Sequence, residues 1–210
     1  MKKIVVTVMA ILLGLTSVAC GSSEDMSDRE YVKTVEDSSV KEGESISVPT
    51  DIDEDGNFCN YVDVKVVGSF VDYDVVTSVP VESLQSVPDV FVDSNGRLKD
   101  GYSFVGVNVI FSSEEARDVN VASFDLVGIK GKQVDTYENF YHNGEKVSES
   151  LHDGGIIHLK EGEVAVTFGF FVEPQFFEKE QYYFVPEFFS SADDMKQDNY
   201  IEFTLQGGEK

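Results

Sequence analysis

"EVAVTFGFFVEP", residues 163–174, decides the fold class. Val164, Val166, Phe168, Phe170 and Val172 occupy every second position. Side chains alternate across a strand, so these five share one face. A helix would scatter them around its axis. Phe171 falls on the opposite face, and Pro174, which lacks a backbone donor, ends the run. Each buried Val or Phe contributes about 1.5–3 kcal/mol, so a row of this length anchors a core.

The same period recurs on both sides of this stretch. "ESISVP" carries Ile46 and Val48, and "NYVDVKVVGSF" carries Val62, Val64 and Val66. "YSFVGVNVIF" aligns Val105, Val107, Val109 and Phe111, and "VASFDLVGI" aligns Ala122, Phe124 and Leu126. "YIEFTL" closes with Ile201, Phe203 and Leu205. The turn chemistry of "DEDGN", "DSNGR", "IKGK", "HNGE", "HDGG" and "KEGE" separates or flanks these runs. Helical signals are thin: Ser112 and Glu115 match a capping box, and the chain can turn once after Pro174. Residues 77–100, with Pro80, Pro88 and the "DSNG" turn, read as a long crossover holding an irregular strand. Short strands, frequent turns and little helix predict an all-β fold, an antiparallel β-sandwich.

From about Lys41 to Leu205 the order of phrases resembles the immunoglobulin-like domain of small Gram-positive bacterial lipoproteins. It is similar in turn to secreted mycobacterial immunogenic proteins of that fold. The phrases are "VKEGESISV", "YVDVKVVGSF", "YSFVGVNVIF", "VNVASFDLVGIKGK", "IIHLKEGEVAVTFGFFVEP" and "YIEFTL". "SSEEARD" stands where Asn-rich text is more usual. The resemblance implies an immunoglobulin-like antiparallel β-sandwich and carries over no catalytic residue.

The amino terminus reads as an export signal. "MKK" is a positive n-region, "IVVTVMAILLGL" is an apolar run too short to span a bilayer comfortably, and "TSVAC" ends in small residues and Cys20. The segment resembles a bacterial lipoprotein signal, in which the Cys is acylated and becomes the mature amino terminus. Ala19 and Cys20 fit that pattern; Ser17 stands where Leu is usual, and Leu15 lies two residues further back. The expected organisation is a signal peptide over 1–19, a lipidated Cys20 with an acidic tether to residue 40, and one domain over 41–210. The expected location is the extracytoplasmic face of the cell membrane, held through a palmitate-type anchor. With Cys20 acylated, Cys59 has no partner for an internal disulfide, and it reads as a small buried hydrophobe.

Charge narrows the partners. The 210 residues hold 39 acidic and 16 basic side chains, a net of −23. Loss of residues 1–19 removes Lys2 and Lys3 and no acid, so the mature chain carries −25. Such a surface repels nucleic acid and anionic lipid heads and attracts cations or basic proteins. The expected partner beyond the membrane itself is another envelope or secreted protein.

Three constellations invite chemistry. "DIDEDGNF", residues 51–58, begins like a calcium loop, but the twelfth position from Asp51 is Val62 and the ninth is Cys59. Its flanks alternate like strands rather than helices. A looser oxygen cage of Asp51, Asp53, Asp55 and Asn57 stays open as a cation site, beside the plainer reading of a solvated turn. His142, His152 and His158 lie apart, and neither a zinc-type spacing nor a nucleophile elbow accompanies them. No enzyme and no cofactor is expected. Finally, "FGFFVEPQFFEKEQYYFVPEFF" is dense in aromatics. Phe171, Phe176, Phe177 and Tyr182 make an apolar binding patch if exposed, or a satellite core under a loop if not. The function expected is binding without catalysis, with cation binding at residues 51–57 as the alternative.

Overall fold

A computed structural model describes residues 39–80, 84, 87–120, 124–143, 156–186 and 200–207. The signal-like segment 1–19, Cys20, the tether up to residue 38, and His152 lie outside the described residues.

The described chain forms eleven strands: β1 Ser39–Lys41, β2 Ser45–Ile52, β3 Phe58–Asp72, β4 Ser103–Ser113, β5 Arg117–Asn120, β6 Phe124–Lys130, β7 Gln133–His142, β8 Ile156–Leu159, β9 Gly162–Val172, β10 Gln181–Pro186 and β11 Tyr200–Phe203. Nine of them hydrogen-bond in the order β1-β11-β10-β6-β7-β9-β4-β3-β2. Every pairing in that series is antiparallel except β1 with β11.

β7 makes this series a sandwich. Its first part pairs with β6 from Gln133 to Glu138, and its second part pairs with β9 from Asn139 to His142. The register shifts between Asn139 and Tyr141. A bulge of this kind bends the strand, so one strand serves both layers. The layers press together the rows read from the sequence. Val62, Val64 and Val66 of β3, Val105, Val107, Val109 and Phe111 of β4, and Val166, Phe168, Phe170 and Val172 of β9 share one core with Phe124, Leu126, Phe184, Ile201 and Phe203 of the other layer. The all-β sandwich is therefore the fold.

Both ends of the sandwich are dressed differently. Ser112 and Ser113 end β4 instead of starting a helix, and the Ser113 hydroxyl bonds the backbone of Glu115. The β4–β9 ladder then resumes as the β5–β8 ribbon, Arg117 opposite Leu159. Val119, Ile157 and Leu159 of this ribbon enter the core and close that end. At the opposite end a 3-10 turn, Pro174–Glu178, inserts Phe176, which is fully buried. Lys179 follows it inward and pairs with Asp135 at 2.6 Å.

The crossover between β3 and β4 covers the outer face of β4 and β9. Val76, Val79, Leu84, Val87, Val92 and Leu98 pack there on Phe104, Tyr141 and Phe171 as a second core. Among the described residues of this segment there is no strand where an irregular one was expected; isolated bridges pair Val75 with Arg97 and Val92 with Leu98.

Candidate functional site

The Asp-rich turn is built as a self-contained hairpin. Asp53 N–H donates to the Asn57 carbonyl at 2.9 Å, and Gly56 N–H donates to the Asp53 carbonyl at 3.0 Å. Gly56 supplies the left-handed φ of 84° that closes it. The Asp53 carboxylate turns inward and accepts from the backbone N–H of Asp55 at 2.9 Å and of Asn57 at 2.8 Å. The Asn57 amide donates to it as well. These donors, Asn57 foremost, hold the Asp53 carboxyl below the usual carboxylate range.

The same device recurs in "DSNGR". The Asp93 carboxylate accepts from Asn95 N–H at 2.8 Å and Arg97 N–H at 3.0 Å, and its acidity is raised in the same way. Gly96 N–H again donates to the Asp93 carbonyl at 3.0 Å. Asp at the first position and Gly at the fourth are thus turn residues in both places. Asp51 sits on β2 opposite Cys59, in reach of the Asn60 amide at 3.4 Å. Asp51, Asp53, Asp55 and Asn57 do not gather into a cage. Among the described residues, no group of three or more His, Cys, Asp or Glu side chains could hold a metal ion.

The aromatic patch is corrected by the packing. Phe171 is 4% exposed, lying between the sandwich and the crossover, and stacks on Phe91 at 5.0 Å between ring centres. Phe176 is the plug already described, edge-on to Tyr137 at 5.1 Å. Phe177 and Tyr182 are half-buried against the main core. The four side chains therefore form no contiguous exposed surface. Exposed large hydrophobics among the described residues are Tyr61, Val67 and Val90, none of the four.

What Phe177 and Tyr182 do form is one wall of a groove of ≈ 590 Å³ at the plugged end. Tyr182 lies opposite Phe203 in the β10–β11 register, so both face inward. Leu205 continues that row outward, and Phe177 flanks it from the 3-10 turn. The Tyr182 hydroxyl donates toward the carbonyls of Phe176 and Lys179 at 3.3 and 3.1 Å, which fixes the ring. Burial pushes its ionisation upward, so it stays a neutral donor. Glu180 and Glu202 edge the groove. Glu202 accepts from the Lys41 ammonium.

At the opposite end, Asp118 and His158 face each other across the β5–β8 ribbon, Oδ1 to Nδ1 at 2.7 Å. They line an open cleft with Asp51, Asn60 and Arg117. His158 is exposed, as its alternation with Ile157 and Leu159 predicts. Asp118 was not legible as its partner, because the pairing depends on a ladder that bends between Ser113 and Arg117. His142 closes β7 rather than lying in a turn. Cys59 is half-buried rather than buried, and desolvation, then the charges of Asp51 and Asp53, raise its thiol pKa. That makes it a poor nucleophile.

No protein-family model and no curated protein matches the chain. Two solved structures are similar to it. One is an uncharacterized β-sandwich protein from Clostridium difficile 630, 10% identical, with a TM-score of 0.39 over 79% of this chain and 93% of that one. The other is a functionally unknown protein from Listeria monocytogenes EGD-e, 13% identical, with a TM-score of 0.26 over 78% of this chain and 85% of that one.

Proposed function

We propose that this chain is a lipid-anchored extracytoplasmic binding domain of the immunoglobulin-like lipoprotein type, without catalytic chemistry. The observation that carries the reading is the coincidence of "MKK", the apolar run and Ala19-Cys20, followed by the polar acidic stretch "GSSEDMSDRE". Acylation of Cys20 holds the domain at the membrane, and the stretch between Cys20 and β1 gives it reach. Further support comes from the acidic balance, which suits display outside the cell toward a basic partner. The test is metabolic labelling of the full chain with an alkyne fatty acid. Label in the parent chain and none in Cys20→Ser is expected; equal labelling of both, or recovery of the untrimmed chain from cytosol, overturns the anchor. Cross-linking on intact cells then reports whether the anchored domain holds another envelope or secreted protein.

A further inference from the structure

We propose that the groove beside the Phe176 plug docks a basic peptide segment of a partner protein, seating an aliphatic side chain on Phe177, Tyr182, Phe203 and Leu205 and its flanking cations on Glu180 and Glu202. The assignment deepens the binding reading above and rests on it.

The two ends of the sandwich are closed unequally. The β5–β8 ribbon seals one end with Val119, Ile157 and Leu159. At the other end the plug fills only part of the mouth. Phe177, Tyr182 and Leu205 pack on the main core while lining the open groove beside it. A side chain entering there extends an existing core, so its apolar surface leaves water against groups already held in place. Tyr182 is pinned by its two carbonyl contacts, and the ring of Phe177 rests on Tyr73 at 5.8 Å. The Tyr73 hydroxyl in turn bonds the Gly207 carbonyl at 3.1 Å, and Ser69 bridges Thr204 and Gln206 at 3.0 Å each. The walls are therefore preorganised.

The occupant follows from charge and shape. Among the described residues, the ionisable side chains lining the groove besides Tyr182 are Glu180 and Glu202, and one lysine, Lys41, already reaches Glu202 from outside the lining. A cationic segment reproduces that contact and adds the one to Glu180. Acidic peptides, phosphates and anionic lipid heads meet repulsion. A second copy of this chain brings another net −23, which opposes self-association. The groove is open to solvent, so an extended segment can enter it from the side.

The chain contains no Trp, so tryptophan fluorescence of a ligand is free of protein background. The experiment uses the full chain in zwitterionic detergent, protein-free micelles as blank, and the heptapeptide Lys-Leu-Lys-Trp-Lys-Leu-Lys as probe. A saturable blue shift is expected. Glu180→Lys weakens binding about tenfold, whereas Glu163→Lys, the same charge change at the sealed end, changes it less than about twofold. Replacement of both peptide leucines by serine abolishes the shift. Equal weakening by both variants, undiminished binding of the serine peptide, or no saturation overturns the assignment. So does a concentration-dependent dimer in sedimentation that Leu205→Asp dissolves, because a second copy then fills the groove. If the peptide fails while fatty-acid labelling and cross-linking succeed, the domain binds elsewhere. If labelling at Cys20 fails while the peptide binds, the anchor reading falls alone.

Discussion

Gly106 and Gly169 face each other across β4 and β9. A Cβ on Gly106 would stand 1.9 Å from the Phe70 ring, and one on Gly169 would stand 2.4 Å from the Phe104 ring. The two glycines are the floor on which those rings lie. Gly169→Ala is expected to lower stability by about 1–3 kcal/mol in urea melts, because Phe104 is fully buried and cannot yield. Gly106→Ala should cost less, since Phe70 is half-buried and can shift outward. Single side chains also tie the stability of the fold to pH. Burial, then the charges of Asp135 and Glu173, push the Tyr137 phenol up to about 12. Its folded pKa exceeds its unfolded value of 10, so its contribution is whole below pH 10 and lost as pH rises toward about 12. Absorbance near 295 nm should show Tyr137 ionising late, and Tyr137→Phe should flatten that alkaline loss of stability. Asp53 and Asp93 act in the opposite direction. Their folded pKa values are lowered from 3.8, so the stability they confer is present above that pH and lost below it. Carboxyl NMR shifts followed through acid should show both titrating below 3.8.

The elements differ in how openly the sequence declares them. β3, β4 and β9 could be read because each alternates apolar and polar or small residues along one buried face. β10 could not. After Gln181, "QYYFVP" has no polar–apolar alternation, since Tyr182 and Phe184 face the main core while Tyr183 and Val185 are buried on the other side. A strand buried on both faces loses its alternation. β7 failed for the reverse reason: "QVDTYENFYH" is largely polar and pairs with a different layer in each half. Phe171 was rightly placed opposite Phe170, but its cover comes from residues 73–102, whose spacing follows no period. The Asp-rich stretch was legible as a turn closed by Gly56, whereas the part Asp53 plays in building it became plain only beside its twin at Asp93–Arg97. The plug offers the direct check on this level of organisation. Phe176→Ala is expected to cost about 3–5 kcal/mol, and Phe177→Ala distinctly less, because only the former leaves a void inside a closed core. Lys179→Ala should cost roughly 2–4 kcal/mol, since Asp135 loses its counter-charge and the lysine stem no longer fills the space beside Gly128 and Phe176. Lys179→Met restores the stem alone and should recover part of that loss.

For the whole molecule, the sandwich stands on burial while its surface works against compactness. A net of −23 repels itself, and salt screens such repulsion over about 10 Å at 0.1 M. Thermal midpoints should therefore rise by several degrees between 10 and 200 mM sodium chloride, a response opposite to that of a fold held by surface ion pairs. The direction of β1 adds a consequence for the molecule under load. Ser39 lies beside Tyr200 and Lys41 beside Glu202, so the chain enters at the sealed end and runs alongside β11 toward the groove. In a chain held at Cys20, a partner tugging at the groove draws β11 one way while the leash draws β1 the other. The strands are then sheared rather than peeled, and their registered pairs yield together instead of one after another.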